Sequence, residues 1–449
     1  MAMANRSVNA AGGRRIFGDA SWALFGQVGS GLVLLLGTRI ITEMVSPAVY
    51  GQVALLTGIV ALGVGIFAYP FVCAGMRLLP ECLNAGERTA LYRGVRRLTA
   101  RSSFVAMSFL AFGGAAYSRM TGFDPWLFAI AALLFFVTVR REMGFQLLIG
   151  ERRQRDASLW QASDSILRPL FAILLVWLWG PDAAWVLLGY VLASVAANTV
   201  WSFVHDRERS RKVRPRAVTL KQLERDLRVY ALPLIPMELL SWFSGLGARY
   251  IVGYLMSAAD VGVYAAAYTL TNEAFNRSAI VLLRTFQPVY FQHVSAGEKE
   301  QAFKIYWIWL GCVAAMGIGG VAALFVLKDW VAALLLAETY QSAAVLMPII
   351  GAGCALQALG MVAGQPLLAV KRTRPLLVGR LLGAITAAVA TPLMIRAYGL
   401  TGAAVAAPVY FGVEALVMAL LARPWRKIGA VRKEETWVVR KSALPLGEG

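Results

Sequence analysis

The chain is 449 residues long, 58% hydrophobic and 15% charged, with a mean hydropathy of +0.61. A soluble globular protein is about half apolar and a quarter charged, so this chain lacks the residues to clothe a water-facing surface, and lipid must cover most of it. Its formal net charge of +19 would point to nucleic acid in a soluble protein. Here the basic residues fall in short segments between apolar runs, which is how membrane topology is encoded, and no nucleic-acid partner is expected.

The start of the chain, Met1 to Gly18, is basic and leads into a run too long for the apolar core of a cleaved signal. Arg14-Arg15 reads as the cytoplasmic flank of a first span and not as a twin-arginine signal. Crossing a bilayer takes about 20 apolar residues. Twelve stretches qualify: 19–42, 50–73, 102–118, 124–140, 157–179, 184–204, 229–254, 261–285, 305–327, 341–367, 376–396 and 401–422. The run 331–339 is too short to span and is expected at the interface. The predicted fold class is an all-α polytopic membrane protein of about twelve transmembrane helices.

With the N-terminus inside, the inside segments are 74–101, 141–156, 205–228, 286–304, 368–375 and the tail from 423. They hold Arg96-Arg97, Arg152-Arg153, the run Arg207 to Arg216, Lys371-Arg372 and Arg426-Lys427. The outside segments hold little more than Arg119, Lys328 and Arg396. Both ends are therefore expected on the cytoplasmic side of the membrane. The most polar internal segment, 205–228, falls after the sixth span. It divides the chain into a six-helix bundle over 1–204, a basic linker over 205–228, a second six-helix bundle over 229–422 and a cytoplasmic tail over 423–449.

The halves repeat. The first span ends Thr38-Arg39 and is followed by Ser46 to Gly51; the seventh ends Ala248-Arg249 and is followed by Ser257 to Gly262, with the same Ser-to-Gly spacing. Parallel repeats are a transporter signature, because two bundles can rock about a shared cavity. The same stretches carry a family likeness. Thr38-Arg39 with Ser46-Pro47-x-x-Tyr50-Gly51, and Arg249-Tyr250-Ile251-Val252-Gly253-Tyr254 with Val261-Gly262-Val263-Tyr264, resemble the first hairpins of each half in bacterial polysaccharide flippases. Pro288, Phe291 and Tyr398-Gly399-Leu400-x-Gly402-Ala403-Ala404 fit too.

Those flippases belong to the multidrug/oligosaccharidyl-lipid/polysaccharide exporter superfamily, and the likeness runs from the first span to the last. It implies two bundles of six helices around a central cavity. It implies alternating-access transfer of an undecaprenyl-diphosphate-linked oligosaccharide from the cytoplasmic to the periplasmic leaflet, for O-antigen, capsule or exopolysaccharide. Polysaccharide polymerase and chain-length proteins are the partners it suggests. A drug or small-molecule antiporter of the same superfamily, and a membrane enzyme acting on a lipid-linked glycan, are the alternatives.

Charges at membrane depth are the candidate site. An arginine at the bilayer centre costs at least about 3 kcal/mol, and the spans hold Arg39, Arg168, Arg249 and Arg277. Arg39 and Arg249 stand near span ends and could snorkel to the interface. Arg168 and Arg277 lie deeper, each four residues after an acid, Asp164 and Glu273, and so on one helix face with it. Two readings stand: ion pairs that offset the cost of insertion, or guanidinium groups lining a cavity for the substrate diphosphate, held by the acids. Glu238 and Glu414 are acids without a partner nearby in sequence, read as protonated packing residues or as carriers of a coupling cation, H+ or Na+. No other cofactor is expected.

Prolines inside the spans, above all Pro233 and Pro236, suggest bends. The four cysteines include no Cys-x-x-Cys pair, so neither a disulfide framework nor a metal centre is expected. His205 and His293 have no catalytic partner in sequence, no Walker A or Gly-x-Ser-x-Gly motif is present, and the outside loops are short. The chain is therefore not expected to be an enzyme.

Overall fold

The structure is a computed structural model that describes residues 29–423 apart from 80, 81, 83, 84, 122, 123, 152, 210–216, 371 and 373. Arg14-Arg15, most of the linker run from Arg211 to Arg216, and the tail beyond Arg423 lie outside the described residues.

Helix α1 covers 29–44. Ser46 then accepts the Val49 N–H, and Pro47 opens α2 (Pro47–Phe67), a start in which the serine satisfies an orphan donor and the proline has none to satisfy. The chain breaks at Ala68 and Pro70 begins α3 (Tyr69–Leu78). The first half continues as α4 (Ala85–Thr121), α5 (Pro125–Gly150), α6 (Gln154–Trp179) and α7 (Ala183–Arg209). After α8 (Ala217–Ala231), Pro233 caps α9 (Leu234–Leu255), so the expected bend at Pro233 is a break between two helices. Then follow α10 (Ala258–Ala296), α11 (Lys299–Leu335), α12 (Ala343–Ala363), the short α13 (Gln365–Ala369) and α14 (Arg374–Ala422). Gly399, with a positive φ of 59°, splits α14 into two arms.

Among the described residues there is no strand, and every expected span is largely helical, although 50–73, 229–254 and 341–367 each cross a break between two helices. Seven helical stretches are long and apolar enough to cross a membrane by length and composition. One of them, α14, holds two of the expected spans. The helices also outrun the apolar windows. Segments 74–101, 141–156 and 286–304, expected as connections, are largely helical, with α3, α4, α5, α10 and α11 extending into them. Hydropathy marks the slab of hydrocarbon, whereas a helix continues as long as its backbone bonds do. The run 331–339 is likewise not one unit: α11 carries it to Leu335, and the rest forms a turn containing a 3-10 segment over Glu338–Tyr340.

Two cores organise the helices. One gathers Val53, Leu56, Phe128, Leu134, Phe135, Val186 and Leu187 from α2, α5 and α7. The other gathers Val252, Tyr264, Ala266, Met347, Ile350 and Ala403 from α9, α10, α12 and α14. Helix α2 touches both, packing on α5 and α7 of its own half and on α9 and α10 of the other. Helix α8 lies against α3 and α4, with Leu227 and Ala231 fully buried in a small core with Val72, Leu91 and Val95.

Candidate functional site

The repeated Ser-to-Gly hairpins meet. Ser257 caps α10 in a reciprocal capping box with Asp260, as Ser46 caps α2. Five residues on, a Cβ built on Gly51 would collide with the Ala258 carbonyl and sit 2.9 Å from Gly262 N. One built on Gly262 would collide with the Pro47 carbonyl and sit 3.1 Å from Gly51 N. The two glycines let the α2 and α10 backbones touch in a pseudo-symmetric contact, so the serine sets the start of each helix and the glycine one turn later makes the junction. The turn between α11 and α12 reinforces it. The Ala337 N–H donates to Thr42 Oγ1 at 3.3 Å, the Tyr340 hydroxyl donates to the Val45 carbonyl at 3.0 Å, and Tyr340 meets Tyr50 edge-on at 5.9 Å.

Arg39 belongs to this junction. It donates to the Leu336 carbonyl and pairs with Glu43 at 2.5 Å. Arg249 is buried at the same end. It donates to Thr269 Oγ1 at 3.3 Å and its guanidinium lies 5.3 Å from the centre of the Tyr268 ring, which is cation–π range. The structure thus sets both apart from the deeper arginines and engages them in contacts between helices.

Arg168 and Arg277 both hold the acid one turn earlier. Arg168 Nε is 3.1 Å from Asp164, and Arg277 Nε donates to Glu273 at 2.6 Å. Asp164 is buried and also accepts from Arg141 of α5. Its second oxygen has no hydrogen-bond partner among the described residues. Ser30 of α1 links the two halves: its hydroxyl lies 2.8 Å from Arg277 Nη1 and 3.4 Å from Gln161 Nε2. Gln161 and Asp164, three residues apart on α6, share a face. Ser30 of α1 therefore connects Arg277 of α10 with the face of α6 that carries Asp164.

Sequence reasoning passes over two arginines. Arg141 falls just past the fourth apolar window and reads as a loop residue, but α5 continues beneath it. Arg380 lies within the eleventh span. Its Nη1 donates to Ser241 Oγ at 2.6 Å, and Ser241 is three residues from Glu238 on α9. A Cβ at Gly383, three residues from Arg380, would lie 3.1 Å from a Glu414 carboxylate oxygen. Arg380 thus stands between the two acids and acts electrostatically on both, so neither is isolated from a counter-charge. Glu238 also reaches the first lobe, 3.8 Å from a Cβ built on Gly65 of α2. A spacing signal existed for neither arginine, since Asp164 and Ser241 are on other helices and Glu414 is on the far arm of α14.

Arginine–carboxylate clusters thus stand on α5 with α6 and on α10, and α2 meets α10 closely at the hairpins. A family model described as "Polysaccharide biosynthesis protein" matches residues 17–292. No curated protein matches the sequence significantly. Several solved structures share the fold. An inward-facing multidrug resistance MATE family transporter of the MOP superfamily aligns at 14% identity, covering 92% of this chain and 96% of its own, with a TM-score of 0.68. A MOP superfamily transporter from Pyrococcus furiosus aligns at 15% identity over 93% and 96%, with a TM-score of 0.65. A MATE transporter from Vibrio cholerae aligns at 13% identity over 93% and 98%, with a TM-score of 0.58.

Proposed function

This chain belongs to the polysaccharide biosynthesis protein family, and from that premise we propose that it is a flippase. Its cargo is an undecaprenyl-diphosphate-linked oligosaccharide repeat, carried from the cytoplasmic to the periplasmic leaflet of the inner membrane for surface polysaccharide synthesis. The observation that carries the reading is a guanidinium cluster in each half of the chain: Arg168 and Arg141 on Asp164, and Arg277 on Glu273 and Ser30. A guanidinium offers a diphosphate two parallel donors and keeps its charge at every physiological pH. Arginines on both lobes let the cargo bridge them, so that binding favours one rocking state over the other.

With both termini cytoplasmic, the hairpin junction of α2 and α10 faces the periplasm. Glu238, Glu414 and Arg380 serve the coupling of the cycle to H+ or Na+. We read the protein as a transporter and not an enzyme.

The test is a lipid extraction from a strain lacking the chain, with complete repeat units assayed by leaflet. Accumulation of intact lipid-linked repeats on the cytoplasmic face, with loss of surface polysaccharide, is the expected result. Complementation with Arg277→Ala or Arg168→Ala should restore little export, and Arg→Lys variants only part of it. Normal arrival of the repeat at the periplasmic face in the deletion strain refutes the assignment, and full export by the Ala variants removes these arginines from the site.

A further inference from the structure

Helix α8 presents a surface suited neither to water nor to hydrocarbon. Its inner face, with Leu227 and Ala231 fully buried, docks on α3 and α4. Beside that face, and starting from Glu224 on its edge, a shallow groove is lined by Glu224, Arg225, Arg228, Val229 and Leu232. Within it Val229 is 67% exposed and Leu232 57% exposed. Helical spacing sets the residues in two ladders. Val229 stands one turn beyond Arg225, and Leu232 one turn beyond Arg228. In both ladders the guanidinium is farther from α9, and the apolar side chain is nearer to it. The candidate span Gln222–Leu255 takes in both ladders and continues through α9, whose sequence is the more apolar part, so the ladders run from the aqueous side toward the hydrocarbon.

Bulk water would leave Val229 and Leu232 unsatisfied, and lipid tails would do the same to the two arginines. Only the headgroup layer suits both. The charge then selects the headgroup. Glu224 is turned inward, its side chain 12% exposed, and is faced by Arg97 of α4 at 3.6 Å and Arg228 at 4.0 Å. Asp226 is the remaining acid of this turn, and it is exposed. Arg97, Arg225 and Arg228 together leave a cationic excess over Glu224 and Asp226.

We propose that this face of α8 binds an anionic phospholipid, with its phosphate on Arg225 and Arg228 and an acyl chain along Val229 and Leu232. Juxtamembrane arginines gain affinity for anionic headgroups, and guanidinium groups hold phosphate oxygens in a bidentate fork. The lipid fixes α8, and with it the joint between the halves, at the membrane boundary.

The experiment uses the full chain in phosphatidylcholine nanodiscs carrying a trace of photoactivatable phosphatidylglycerol, with the labelled peptides mapped. Labelling is expected to concentrate on 225–232, and a photoactivatable phosphatidylcholine should not reproduce it. Arg225→Gln with Arg228→Gln should lower that labelling roughly 30-fold, at about tenfold or less per arginine. Arg225→Lys with Arg228→Lys, which preserves charge and solubility, should retain most of it. Equal labelling by the two lipids, or undiminished labelling of the Gln variant, overturns the proposal. So does displacement of the probe by a prenyl diphosphate at lower concentration than by phosphatidylglycerol, because the groove would then belong to a different lipid.

Discussion

The glycine junction offers the sharpest test of how the lobes are held. Gly51→Ala places a methyl group against the Ala258 carbonyl, and the obstructing atoms are backbone, so no side chain can swing aside. Overpacking of this kind costs about 1–3 kcal/mol; with backbone on both sides the upper end applies. The cost falls only on the state in which α2 and α10 touch. About 3 kcal/mol is on the order of a hundredfold in the ratio of closed to open hairpin ends. The assay starts from a protein with Cys73, Cys82, Cys312 and Cys354 replaced, and adds a cysteine pair at Thr42 and Ala337, whose polar atoms are 3.3 Å apart. A short bifunctional thiol reagent should link the pair readily in the parent and far more slowly in the Gly51→Ala variant. Gly262→Ala should act alike, and the two together should add less than twice the effect, because once the helices part the second methyl group meets nothing. An unchanged linking rate in a folded Gly51→Ala protein would refute the idea that this contact holds the end shut.

Two further outcomes follow from single residues. Asp164→Ala leaves Arg141 and Arg168 facing each other without the carboxylate they share; it should lower stability by about 3 kcal/mol, seen as a drop in the thermal midpoint in detergent, and an unchanged midpoint would show the cluster to be solvated rather than paired. Gly399→Ala forces a side chain into the positive φ that joins the two arms of α14; the expected loss is about 1–3 kcal/mol, and faster amide exchange around residues 396–402 should localise it there.

The parts of this molecule that were legible in the sequence share a property: their signal is local. A span is a run of apolar residues, and each of the twelve runs is largely helical in the described region. The Asp164–Arg168 and Glu273–Arg277 pairs are one turn apart, so helix geometry alone predicts the contacts found. The Ser-to-Gly spacing was visible as a repeat, but its purpose was not, because that purpose is a contact between residues some two hundred positions apart.

The same limit explains the misses. Arg141 joins Asp164 from α5, and Arg380 reaches Glu238 and Glu414 from α14. Nothing in the spacing of a single helix could announce either. The consequence bears on how deep charges should be weighed. A cation one turn from an acid can settle its insertion cost within its own helix, before the bundle assembles. Arg380 and Glu238 can meet only after α9 and α14 have packed. Their attraction therefore stabilises the assembled lobe and is absent from the separate helices. Glu238 is moreover placed against α2 of the other lobe, where any rocking of the lobes must change its surroundings. By that reasoning the pairs visible in sequence are settled within one helix, whereas the Arg141–Asp164 contact and the approach of Arg380 to α9 depend on the packing of the bundle.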